Sequence, residues 1–380
     1  MKYCVKCLFP DTKPDLNFDA NGVCDACLAQ QEKEKIDWEN RRKELNEILT
    51  KYKNKNVSNY DCIIPVSGGK DSHYQTHVIK NEFGLNPLLV SFHPRDFTDI
   101  GRKNLENLKS LGADCIEFST NPDVYKKLAK YGLMELGDPA WPEHIGIFTI
   151  PVRIAVAFNI PLLVWGENSQ LEYGGPASAR TNPYLDIEWN KKFGGYFREK
   201  LDLKELGKLG IKESELQFCQ YPSDEEIRRV GVTGIFLGYY LKWDARKQVE
   251  IVKKHGFNVL EGPNEGTYTN YENLDTKYVG IHDYFKFLKF GYGRATDHAS
   301  IDIRNGKMTR EEGLKLVRKY EGKIPTKYLN EFLEEFELSS EELLKIFEKF
   351  TNKDLFKTDE EGNLLRHEAG NIEKKVYDNP

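Results

Sequence analysis

A chain of 380 residues, 39% hydrophobic and 30% charged, has the composition of a soluble folded protein, and this excludes a disordered or membrane-embedded class. Its formal charge of −5 and its lack of a long Lys/Arg block argue against nucleic acid as the main partner, though a local basic patch stays open. At roughly 100 to 200 residues per domain, two or three domains are expected. The longest apolar stretch, Ile145 to Gly166, is broken by Pro151, Arg153, Asn159 and Pro161, so it reads as a buried helix followed by a strand. Met1 to Cys7 has no apolar core of a secretory signal, so the expectation is a cytoplasmic protein without a membrane partner.

In chain order, Cys4-Val5-Lys6-Cys7 and Cys24-Asp25-Ala26-Cys27 form two C-x2-C knuckles sixteen residues apart, the spacing of a four-cysteine metal site. The turn chemistry between them cannot build a core, so an ion would have to hold residues 1–30 together, contributing about 10 kcal/mol or more. Cys4, Cys7, Cys24 and Cys27 are therefore candidate ligands of Zn2+. An iron–sulfur cluster, a redox pair and two disulfides are the other uses of four cysteines. Residues 31–55 have the charged, periodic pattern of a connecting helix.

Asp61 to Val66 reads as a short buried strand and Ser72 to Lys80 as a helix, with Ser67-Gly68-Gly69-Lys70-Asp71-Ser72 between them. Two glycines let backbone N–H groups converge, and the hydroxyls of Ser67 and Ser72 add donors where a helix dipole favours an anion. The spacing is not that of a Walker A loop. Ser-Gly-Gly-x-Asp-Ser after a strand instead resembles the PP-loop of the ATP pyrophosphatases. That resemblance implies ATP binding by Ser67, Gly68, Gly69, Lys70, Asp71 and Ser72, with Lys70 and Asp71 catalytic. Strands at Pro87–Phe92, Asp114–Phe118 and Pro161–Trp165 alternate with helices at Asp99–Leu111 and Val152–Phe158, predicting an α/β fold with a doubly wound parallel sheet over residues 56–240. The turn Gly166-Glu167-Asn168 with Glu172 is similar to the pyrophosphatase segment that borders nucleotide and magnesium. It implies that Gly166, Glu167 and Asn168 bind cofactor and that Glu172 joins Asp71 around Mg2+; surface carboxylates in a loop are the plain alternative.

Residues 174–230, rich in Gly, Asn and Tyr, read as a substrate-covering insertion or a peripheral elaboration. Ile235–Tyr240 is a further strand candidate, Asp244 a cap for a helix Ala245–His255, and residues 241–380 a mainly helical region. Within it, Phe290 to Arg304 carries Tyr292, Arg294, Thr296, Asp297, His298 and Arg304. This donor-rich set suits a polyhydroxylated anionic ligand, or else forms a helix entrance capped by Thr296 or Asp297.

Taken together, the cysteine knuckles, the Ser67–Ser72 loop, Gly166-Glu167-Asn168 and Gly291-Tyr292-Gly293-Arg294-Ala295-Thr296-Asp297-His298 resemble the N-acetyl sugar amidotransferases, the WbpG/PseA-like proteins of bacterial surface-glycan biosynthesis. The resemblance implies a zinc ribbon, an acetamido sugar as substrate, and ammonia delivered by a separate glutaminase. Cys62 and Cys115 fall in predicted strands and Cys219 lacks a nucleophile-elbow pattern, so no cysteine here reads as a glutaminase nucleophile. Two rival readings stay open: a tRNA thiolase of the same fold, and a zinc-ribbon adaptor with a vestigial nucleotide site.

Overall fold

The computed structural model describes residues 1–55, 59–92, 96–175, 181–185, 203–366 and 372–375. Six strands form one sheet: β1 (Cys62–Pro65), β2 (Pro87–Phe92), β3 (Asp114–Phe118), β4 (Leu162–Trp165), β5 (Tyr184–Leu185) and β6 (Thr233–Phe236). Their order is β3-β2-β1-β4-β6-β5. Every pairing is parallel except that of β5 with β6. The antiparallel edge strand comes from the predicted insertion, of which residues 176–180 and 186–202, including Pro176 and Gly194-Gly195, lie outside the described residues.

Near-continuous apolar runs in β1, β2 and β4 fit a sheet covered on both faces. Ile63, Leu88, Val90 and Leu163 point to one face, where they meet helices Pro122–Tyr131 and Trp141–Phe158. Cys62, Ile64, Leu89, Leu162 and Val164 point to the other, against Val78, Ile79, Leu105 and Leu108. Truncating one of these aliphatic side chains to alanine costs about 2–5 kcal/mol. The first cluster also takes in Tyr284, Phe285, Phe332 and Phe347, so the carboxyl-terminal helices pack into the core of the sheet.

Three elements differ from expectation. The helix predicted over Val152–Phe158 begins at Trp141 and runs through Pro151, because the proline's lost hydrogen bond is outweighed by burial of Trp141, Ile145, Ile150, Val152 and Ala155 on both sides of it. The strand expected over Ile235–Tyr240 ends at Phe236, and Leu237–Tyr240 turns helical as the Gly238 N–H reaches the Gly166 carbonyl at 2.9 Å. Residues 31–55 contain the end of one helix, Asp25–Lys33, and a second, Trp38–Thr50, whose entry is capped by Asp37.

The cysteine-bearing segment docks on the far half of the chain. The Leu8 N–H donates to Ser300 Oγ at 3.2 Å and Arg310 Nε to the Cys7 carbonyl at 3.0 Å. From β1 the chain crosses to β2 on one side, whereas β4 and β6 extend the sheet on the other. The crevice between β1 and β4, at their carboxyl ends, is where an open α/β sheet accepts a ligand.

Candidate functional site

Both segments expected to bind nucleotide lie at this crevice: Ser67–Ser72 follows β1 and Gly166-Glu167-Asn168 follows β4. The loop is held by its own hydroxyls, with the Ser67 N–H donating to Ser72 Oγ at 3.0 Å and the Gly69 N–H to Ser67 Oγ at 3.3 Å. Gly68 has φ +93°, and a Cβ there would stand 3.0 Å from the Leu105 backbone, so the turn requires glycine. Helix Lys70–His77 starts at Gly69 without a side-chain cap, which leaves its first N–H groups to a ligand.

Lys70 is buried and ringed by carboxylates: Nζ lies 2.7 Å from Asp71 and 2.9 Å from Glu272. Burial alone would lower its pKa, but Asp71, Glu272 and Glu167 outweigh that and hold the ammonium charged. Burial first, then Asp71, pushes the Glu167 carboxyl well above its usual range; Glu272 moves up by burial too, against the pull of Lys70. Asp71 Oδ1 is buried without a hydrogen-bond partner among the described residues. An orphaned carboxylate oxygen beside a second acid is a donor set that fits a hard divalent cation such as Mg2+.

After β4, Gly166 is packed so closely that a Cβ would overlap Gln75 Nε2, 2.0 Å away. Asn168 Oδ1 caps the turn Ser169–Glu172, accepting from Gln170 at 3.1 Å, and its Nδ2 is buried without a partner among the described residues. Glu172, expected beside magnesium, has one carboxylate oxygen 2.5 Å from buried Lys33 of the helix that leaves the cysteine segment.

Two cavities meet here. One of about 240 Å³ is lined by Ser67, Asp71, Ser72 and Gln75, and one of about 650 Å³ by Asp96, His144, His282 and Arg294; Glu143, Ile147 and Asp275 line both. Asp275 accepts a hydrogen bond from Ser67 and hangs on an antiparallel bridge between Phe97 and Thr276. Burial raises the carboxyls of Glu143, Asp96 and Asp275; neighbouring acids push Glu143 and Asp96 further up, whereas hydrogen bonds draw Asp96 and Asp275 down and Arg294 also draws down Asp275.

Of the predicted substrate set, Arg294 lines the large cavity. Its Nε and Nη2 grip Asp283 at 3.1 and 2.7 Å, and despite burial that pairing pulls the Asp283 carboxyl down to about 2. The other five are engaged inside the protein. Tyr292 packs beneath Lys286, 4.6 Å from its ring, and Asp297 pairs with the same Lys286. The Thr296 N–H donates to Glu321 at 3.0 Å, and His298 Nδ1 meets Thr267 Oγ1 at 2.7 Å. Arg304 donates to the Glu172 carbonyl at 2.7 Å and lies over Phe9, 5.0 Å away. Neither Thr296 nor Asp297 caps a helix: helix Arg294–Arg304 enters at Gly293. Sequence reasoning missed Glu272, Asp275, Glu143 and His282, since no spacing signal links them to a loop so distant in the chain.

The four cysteines are buried, with Cys4–Cys27 and Cys7–Cys24 sulfurs 3.7 and 3.6 Å apart and all four within 4.8 Å. A tetrahedron with Zn–S bonds of about 2.3 Å has edges of about 3.8 Å, so the set could hold one zinc ion. Those separations are far beyond a disulfide bond, which excludes cystine pairing here. Away from this cluster, burial raises the thiols of Cys62 and Cys219, and burial with Glu117 raises Cys115 to about 11.

Among the described residues no helix is long and apolar enough to cross a membrane. A stretch of 79 residues is 39% identical to an uncharacterized protein of Methanocaldococcus jannaschii, covering 21% of this chain and 28% of that relative's length. Residues 265–369, which bring Glu272, Asp275, His282 and Arg294 to the site, match the family model described as LPS biosynthesis protein WbpG-like, C-terminal domain.

Proposed function

We propose that the chain is an ATP-dependent amidotransferase of the PP-loop type, which converts the acetamido group of a sugar to an acetamidino group in bacterial surface-glycan biosynthesis. An amide carbon is a poor electrophile and its oxygen a poor leaving group; adenylation remedies both. The observation that carries this reading is the shared wall of Glu143, Ile147 and Asp275 between the cavity at the Ser67–Ser72 loop and the larger polar cavity. A nucleotide in the first and a sugar in the second would meet there. The similarity of residues 265–369 to WbpG-like proteins supports a glycan precursor as the sugar.

In this reading the loop amides, Ser67, Ser72 and Lys70 bind the phosphates of ATP, and Lys70 follows the charge onto departing pyrophosphate. Asp71, with Glu167 beside it, would hold Mg2+, which neutralises phosphate oxygens. The acetamido oxygen attacks the α-phosphorus, and ammonia then displaces AMP; positioning does most of this chemistry. Arg294, its fork taken by Asp283, offers Nη1 to a sugar carboxylate or phosphate. Zn2+ in the cysteine cluster is structural. The raised thiols of Cys62, Cys115 and Cys219 support a separate glutaminase as the ammonia source.

The test is nucleotide product analysis with ATP, Mg2+, ammonium and a panel of acetamido sugars. Sugar-dependent AMP and pyrophosphate are expected, with the sugar's oxygen exchanged for an imino nitrogen in its mass spectrum. ADP and phosphate, AMP released only with tRNA, or no sugar-dependent turnover with ammonium or a glutaminase would each overturn the reading.

A further inference from the structure

The large cavity holds a hydrogen-bonded acid–imidazole pair that the loop chemistry does not use. His282, on helix Val279–Phe290, lines the cavity, and its Nδ1 is 2.9 Å from Asp138 Oδ1. Asp138 is buried at a turn made by Gly137 in the left-handed region, and the same Oδ1 accepts the Ala140 N–H at 3.1 Å. Burial pushes the Asp138 carboxyl upward, but His282 and His144 outweigh it and keep it well below the usual carboxylate range. An ionised carboxylate only accepts, so the proton of this hydrogen bond sits on His282 Nδ1, and Nε2 is the ring nitrogen left to exchange a proton with the cavity. His144 also lines the cavity, with Nδ1 3.7 Å from the second Asp138 oxygen and its ring edge-on to His282 at 5.0 Å.

We propose that His282 is the base of the ammonia step and that Asp138 is the positioning residue that sets its tautomer; this rests on the amidination reading above. The adenylated acetamido group is an imidate protonated on the sugar nitrogen. The ammonia lone pair forms the new C–N bond as the C=N π pair moves onto the sugar nitrogen, so the positive charge passes to the incoming nitrogen. His282 Nε2 takes one proton from that nitrogen. The C–O bond then breaks with its electron pair leaving on AMP, and the product remains as an amidinium. Glu143 also lines the cavity, but burial together with Asp96, Asp275 and Asp138 holds its carboxyl well above the usual range, which suits a proton donor better than an acceptor.

The experiment separates the two half-reactions in the full-length chain. Its probes are diacetamido nonulosonic acids of the pseudaminic and legionaminic types and a nucleotide-linked diacetamido uronic acid. Sugar-dependent exchange of labelled pyrophosphate into ATP, without ammonia, reads adenylation; amidine formed with ammonium reads the second step. His282→Gln is expected to lower amidine formation by about 100-fold or more while exchange falls far less. Hydroxylamine, whose adduct sheds its proton more readily than that of ammonia, is expected to restore turnover. Asp138→Asn should act in the same direction more weakly, and it carries the test if His282→Gln does not fold. A wild-type chain with no exchange on any probe overturns the amidination reading and the base with it. With wild-type exchange intact, the base assignment alone is overturned by an equal loss of both steps, by undiminished amidine formation, or by failure of hydroxylamine to rescue. It is likewise overturned by a selective loss in Glu143→Gln instead, or by a second tightly bound metal ion on Asp138, His144 and His282, whose donor atoms lie within 4.8 Å.

Discussion

Lys70 is a buried cation whose neighbours are chosen to keep it charged. Its Nζ pairs with the carboxylates of Asp71 and Glu272, so a triphosphate entering the crevice would compete with both for it. Lys70→Ala is accordingly expected to lower sugar-dependent AMP formation by about 100-fold or more, read by product analysis. Asp283 makes a separate case. Its carboxylate is buried and bonded to Arg294 and to Asn273 at 2.7 Å, so Asp283→Asn leaves a guanidinium without its counter-charge and should cost about 3 kcal/mol in denaturant unfolding. The sign with pH follows from a carboxyl held at about 2 in the folded chain and near 3.9 unfolded. The Asp283 contribution is in place above pH about 4 and is lost as pH falls toward 2, so the gap between wild type and variant should narrow over that window.

At the scale of elements, the cysteine segment is a clamp as well as a set of four buried thiols that could hold a metal ion. Its helix Asp25–Lys33 delivers Lys33 to Glu172, and its loop gives the Cys4 and Cys7 carbonyls to Arg310 at 3.4 and 3.0 Å. The turn after β4 and the helical half are thus both tied to it. Cys24→Ser is expected to abolish stoichiometric zinc in metal analysis and to lower the melting temperature. A strong chelator should have the same effect on the wild type and little further effect on the variant. Unchanged melting with zinc removed would show that the clamp holds through its hydrogen bonds alone.

For the whole molecule, the cavities at the crevice join residues from both halves of the chain, and the thiols of the three cysteines outside the four-cysteine cluster are all raised by burial. Free ammonium is therefore expected to support turnover of the purified chain, whereas glutamine alone should yield neither glutamate nor amidine by amino-acid analysis. Sequence patterns were enough to read the parallel core, because β1, β2 and β4 are short apolar runs whose alternation with helices has one economical packing. They were also enough to place a loop at Ser67–Ser72 between a strand and a helix and to pair the two cysteine knuckles, since each is a local motif. Proline and glycine misled at two boundaries: helix Trp141–Phe158 passes through Pro151, and β6 ends where Gly238 approaches Gly166. The segment 290–304 was legible as unusual but not in its parts. Only the tertiary structure decided that Arg294 faces a cavity while Tyr292, Thr296, Asp297, His298 and Arg304 bind neighbours within the protein. The same holds for Glu272, Asp275, Glu143 and the Asp138–His282 pair, because contacts between distant segments leave no periodic or spacing signature in the chain and exist only once the sheet, its covering helices and the cysteine clamp have brought them to one crevice.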